Sequence, residues 1–218
     1  LEESARALGG PVALDRDAAR RLLTAALDAT RHAESRLRLT FAPPRTFVSI
    51  EAFAPLPESL YEDGVACITL PRIHRDQPHV KDTHFIATAR RAYRGLPEGI
   101  HEGLLVAEDG SILEGLTSNF FAVRDGTLHT EAERVLAGIT RALVLEAARS
   151  RLPLVLRPVR REDLGRVTEA FVTSASREIL PVVEIDGQPV GDGRVGPGVR
   201  AISEAFARLI EGETEALG

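Results

Sequence analysis

EGLLVAEDGSILEGLTSNFFAVRDGTLHT, residues 102–130, reads as four short strands in succession. EGLLVAE and SILEG are separated by Asp109-Gly110, and NFFAVR and TLHT by Asp125-Gly126; such dipeptides favour the left-handed backbone of tight hairpin turns. A polar bend, Gly115 to Asn119, joins the two hairpins. Helical spacing flanks this cluster. Phe85, Ala89 and Ala92 share one side of a segment running from Asp82 to Leu96, and GITRALVLEAARSRL starts a helix at Gly138. Further on, PLVLRPV, EAFVTS and VVEIDGQPV read as strands, the last with a turn, and GVRAISEAFARLIEG as a closing amphipathic helix.

Upstream, Leu1, Ala5 and Leu8 have helical spacing, and residues 12–33 repeat apolar positions behind Asp15, a candidate N-cap. RLRLTFA and RTFVSIEAFAPLP alternate with period two and form a hairpin across Pro43-Pro44; VACITLP is a third strand. The polar segment RIHRDQPHVKD suits a crossing between domains. Strand clusters separated by helices predict an α+β or mixed α/β fold with two lobes, 1–77 and 78–218.

With 218 residues, 44% hydrophobic and 27% charged, the chain can bury a sizeable core. A net charge of −5 without a basic run gives no reason to expect nucleic acid or an anionic membrane. A small molecule or a second copy is the expected partner. No stretch reaches the roughly 20 apolar residues of a membrane helix, and no charged-then-apolar leader is seen. Cys67, the single cysteine, lies in an apolar strand and reads as a buried thiol in a reducing compartment, so the expected location is the cytoplasm. An uncapped helix at Leu1 and the abrupt Ala42-Pro43 junction raise the expectation of further residues before the first and within the second.

Lys81 is the only lysine; every other one of the 27 basic residues is arginine. Arginine stays protonated near neutral pH, whereas a desolvated lysine can act as an amine nucleophile. A survivor of compositional bias would look the same, so the neighbours must decide. Glu114, at the end of a strand, can meet a cationic ring nitrogen, or it can be a solvated turn residue. Thr140, beside the start of a helix, can help to hold a phosphate or serve only as a cap. Donor-rich turns lie at 115–119, 138–140 and 174–176. An amine, an acid and several anion-binding turns are the parts of a pyridoxal phosphate site, and no metal-ligand set is read.

The series VK at 80–81, EGLTSNFF at 114–121, LAGITR at 136–141 and EAFVTSASREILPVVEIDG at 169–187 resembles the class IV aminotransferases. These fold-type IV pyridoxal phosphate enzymes include branched-chain and D-amino acid aminotransferases and 4-amino-4-deoxychorismate lyases. The resemblance runs nearly continuously over 80–211 and more loosely before it, as the end of a small N-terminal domain. It implies a two-domain fold of the D-amino acid aminotransferase kind, a homodimer, and pyridoxal 5'-phosphate held by Lys81 as an internal aldimine. By the same resemblance Glu114 faces the pyridine nitrogen. Thr117, Ser118 and Asn119 line the ring and phosphate side, and Ile139, Thr140, Ser174 and Ala175 hold the phosphate. A further phosphate-binding arginine would stand just ahead of Leu1, and a carboxylate-capturing loop near Ala42-Pro43. The chain departs from the family where Ala175 replaces a common threonine and where His84-Phe85 replace an Asn-Tyr pair. The implied reaction moves an amino group from an amino acid, with a slight lean to hydrophobic branched-chain donors, to a 2-oxo acid. Aminodeoxychorismate lyase, D-amino acid transfer and a non-catalytic assembly role are the alternatives.

Overall fold

The computed structural model describes residues 2–7, 9, 15–42, 45–73, 75–81 and 83–213. Leu1, Leu8, residues 12–14, Pro43-Pro44, His74 and Asp82, all named above, lie outside the described residues. The chain divides into two compact units, Leu1–Pro55 with Thr214–Gly218, and Leu56–Glu213.

The first unit holds α1 (Glu2–Ala7), with Ala5 buried, α2 (Arg16–Asp28), and a hairpin of β1 (Ser35–Ala42) and β2 (Arg45–Ala52). The Asp15 carboxylate caps α2 by accepting from the Ala18 N–H at 3.0 Å. The eight residue pairs from Ser35↔Ala52 to Ala42↔Arg45 are in unbroken antiparallel register.

The second unit contains α3 (Ser59–Asp63), β3 (Val65–Leu70), α4 (Thr83–Arg94), β4 (Ile100–Val106), β5 (Ile112–Gly115), β6 (Asn119–Arg124) and β7 (Thr127–His129). There follow α5 (Ile139–Ala148), β8 (Leu154–Val155), a 3-10 helix (Arg161–Arg166), β9 (Val167–Ser174), β10 (Glu178–Ile185), β11 (Gln188–Pro189) and α6 (Pro197–Glu213). PLVLRPV, expected as a full strand, contributes only β8: Pro153 and Pro158 lack the N–H a ladder requires, and Leu156 turns outward. The second hairpin turn forms as expected, with Asp125 and Gly126 both at positive φ (51° and 72°), the backbone of a type I′ turn. The unit boundary falls earlier than 77 because β3 pairs in parallel with both β4 and β10, which binds it to the later chain.

The strand pairings close on themselves. β10 pairs with β3, β3 with β4, β4 with β5, β5 with β6, β6 with β9, and β9 with β10. This ring of six strands is a mixed barrel, with β7, β8 and β11 extending it. Strand residues alternate between its two sides. Cys67, Leu104, Ile112, Phe120, Val172 and Leu180 fill the interior. On the outside, Phe121 stacks on Phe171 at 4.8 Å, beneath α5 and α6, while Phe85 and Ala89 of α4 pack on Leu105, Leu113 and Leu116. Cys67 is fully buried, as its apolar setting predicted, and burial pushes its thiol pKa up. Among the described residues no helix is long and apolar enough to cross a membrane.

Candidate active site

A bulge in β5 aims Glu114. Leu104 pairs with Gly115 and Val106 with Ile112, so Leu113 and Glu114 together oppose Leu105 alone. Gly115 then faces the barrel interior, where a Cβ would collide with Ser118 Oγ and lie 2.8 Å from Glu102 Cγ. Its neighbour Glu114 therefore faces outward. Glu114 pairs across the sheet with Asn119, and Asn119 with Thr173, so the three share one row on the outer face.

Glu114 is buried, 2% exposed, and held from three directions. Oε1 accepts from Arg75 Nε at 2.9 Å; Oε2 accepts from the Leu136 N–H at 3.1 Å and from Asn119 Nδ2 at 3.3 Å. Burial pushes its carboxyl above the ordinary glutamate range; Arg75 and the Leu136 N–H pull partly the other way. The Arg75 guanidinium in turn lies 3.8 Å over the Phe85 ring. One side chain thus links Glu114 to α4, the helix that begins two residues after Lys81.

The expected site residues do not all gather on this face. Lys81 is exposed, immediately ahead of α4. Asn119 joins Glu114 and also donates to the Leu136 carbonyl at 2.9 Å, fixing the segment that leads into α5. Thr117 and Ser118 instead turn their hydroxyls to Glu102, at 2.8 and 2.9 Å. Gly138, not Thr140, is the N-cap of α5; no side chain caps this helix, Ile139 is 83% exposed and Thr140 half-buried in its first turn. Ser174 is half-buried and accepts from Arg177 Nε at 3.2 Å, while Ala175 is exposed. His84 is exposed on α4, and Phe85 takes the buried place beneath Arg75.

Sequence reasoning missed Arg75, Glu102 and Arg177. The only sequence signal for Glu102 is an acidic residue in phase with the interior positions Leu104 and Val106. Whether a phosphorylated pyridine would fit can be read from the outer face. The Glu114 carboxylate accepts three hydrogen bonds where it can accept about four. Thr173 Oγ1, in the same row, is buried without a hydrogen-bond partner, and the first turn of α5 offers N–H groups with no side-chain cap. An acceptor for a ring N–H and donors for an anion share one side of the barrel, and the donor set fits. Among the described residues no group of His, Cys, Asp and Glu could hold a metal ion.

Comparison with known proteins identifies the family. The model of the amino-transferase class IV family matches residues 1–185. A putative branched-chain-amino-acid aminotransferase of Methanocaldococcus jannaschii is 32% identical over 159 residues, covering 70% of this chain and 55% of that protein. The crystal structure of the Escherichia coli branched-chain amino acid aminotransferase superposes with a TM-score of 0.76 at 26% identity, over 98% of this chain and 78% of that one. The branched-chain aminotransferase of Thermoproteus uzoniensis, solved with norvaline, gives 0.79 at 25% identity, over 98% and 77%. The chain spans about half the length, or less, of the curated relatives it matches.

Proposed function

The chain belongs to the class IV aminotransferase family, and we propose that it is a pyridoxal phosphate-dependent aminotransferase, moving the amino group of a branched-chain or similar hydrophobic amino acid to a 2-oxo acid such as 2-oxoglutarate. The buried Glu114 carboxylate, held by Arg75, Asn119 and the Leu136 N–H beside the uncapped start of α5, carries this reading. The names of the relatives support the branched-chain preference over the lyase and D-amino acid alternatives.

When bound, pyridoxal phosphate supplies an aldehyde that condenses with an amine and a ring that takes up the electrons of a broken α-carbon bond. Lys81 would be the amine that holds the aldehyde and, once the substrate's own amine has displaced it, would move a proton to and from the substrate's α-carbon on its freed Nζ. Glu114 accepts from the protonated ring nitrogen, and its fixed donors keep it oriented for that contact. Asn119 steadies both Glu114 and the approach to α5. Thr173 Oγ1, buried without a partner, the N–H groups of Ile139 and Thr140 at the start of α5, which no side chain caps, and the Ser174–Ala175 turn would hold the phosphate. The main chain of Thr117 and Ser118 would border the cofactor on its phosphate side. Residues 56–213 form the cofactor-binding domain and residues 1–55 the end of the smaller one; the enzyme is a cytoplasmic homodimer.

The purified protein tests this by its visible absorbance. Added pyridoxal phosphate should produce a band that borohydride removes and that Lys81→Ala lacks, and an amino acid with 2-oxoglutarate should give glutamate. A protein that stays colourless with added cofactor refutes the proposal.

A further inference from the structure

We infer that Arg177 is a positioning residue for the phosphate end of the cofactor site: from inside the barrel wall it ties the turn after β9 to the turn after β5 through Glu102. The inference rests on the proposed function and extends it to residues that no contact with the cofactor would require. Glu102 is fully buried, in phase with the interior residues Leu104 and Val106. Its Oε2 accepts from Thr117 Oγ1, Ser118 Oγ and, at 2.9 Å, Arg177 Nη2, and its Oε1 accepts from the Gly103 N–H at 3.1 Å. Arg177 reaches further. Nη2 also donates to Thr117 Oγ1, Nε donates to Ser174 Oγ, and the Arg177 carbonyl accepts from the Tyr61 hydroxyl at 3.3 Å.

Residues 115–118 and 174–177 are thus joined by one guanidinium and one carboxylate at 12% and 0% side-chain exposure. A buried ion pair of this kind adds little stability over an apolar pair of similar volume. What it adds here is geometry: a planar fork that meets Thr117 and Ser174, one at each turn, and Glu102 on β4 between them, and so fixes their spacing. Those turns include Thr117, Ser118, Ser174 and Ala175. Holding them from the interior leaves their main-chain donors fixed before the ligand arrives, which removes an ordering cost from binding.

The test titrates the cofactor-free full chain with pyridoxal phosphate and with pyridoxal, which lacks the phosphate, following absorbance. R177M should bind pyridoxal phosphate about tenfold more weakly, the effect of losing one to two hydrogen bonds, with pyridoxal affinity unchanged within about twofold. R177M/E102Q keeps the buried charge balanced; it should show the same selective loss and is the variant read if R177M does not fold. An equal loss for both ligands, as a general loss of stability would give, or no loss for either, overturns the inference. A wild-type chain that takes up neither ligand overturns the proposed function itself, and the inference with it; the two failures are distinct.

Discussion

Glu114 carries two opposed demands. Burial favours its neutral form, yet the role proposed for it requires the charged one, and Arg75 pulls hardest toward charge. Because the folded-state pKa is raised, this group's contribution to stability is greatest at low pH and declines as pH rises through that value. Cofactor binding runs the opposite way: as pH falls through the raised pKa, the negative charge that would face the ring nitrogen is lost. Affinity for pyridoxal phosphate should therefore begin to fall at a higher pH than an ordinary glutamate, at about 4.3, would dictate. In Arg75→Met the onset should move higher still, read by absorbance titration across pH; an onset that moves down refutes the role given to Arg75. Glu114→Gln keeps the shape and removes the charge, so kcat should fall roughly a hundredfold or more, while cofactor affinity falls by the smaller factor that protonation of Glu114 also produces. At this scale the sequence was partly legible. Lys81 stood out because it was alone, and Glu114 because a strand ended there. Arg75 and Arg177 were hidden by abundance, each one arginine among many, and their partners lie 39 and 75 residues away.

Elements were legible where local chemistry decided them. Asp15 caps α2 and the Asp125-Gly126 dipeptide turns its hairpin, because both signals act within a few residues. The start of α6 shows what local reading cannot supply. Glu169, on β9, accepts from the Gly198 N–H at 3.1 Å and the Val199 N–H at 2.7 Å, serving the helix from a strand 29 to 30 residues earlier. Its carboxylate satisfies donors of the first turn and meets the positive end of the helix dipole. Glu169→Ala should lower stability by about 1 to 2 kcal/mol, measured by urea unfolding, with Glu169→Gln losing less. Equal losses for the two variants would mean that the charge and the second acceptor oxygen, not packing against the glycines of this segment, are what Glu169 provides.

At the scale of the whole molecule, the barrel was the least legible feature. Each strand announced itself, but closure depends on β9 pairing with both β6 and β10, a choice made by long-range register that no local pattern encodes. The same closure explains why β3 belongs to the second compact unit. β3 looked like the end of the first lobe by position, yet it sits between β4 and β10 and cannot leave the ring without exposing two edges. All strands of the large sheet come from residues 65–189, and β1 and β2 form a separate sheet. A fragment of residues 56–213 should therefore fold by itself, with one cooperative urea transition and the circular dichroism of a mixed sheet and helices. A fragment without a transition would show that the first 55 residues are needed for the barrel to form. If the fragment folds, it should also take up pyridoxal phosphate, because the groups proposed to bind it, Lys81, Glu114, Thr173 and the α5 N-terminus, all lie within it.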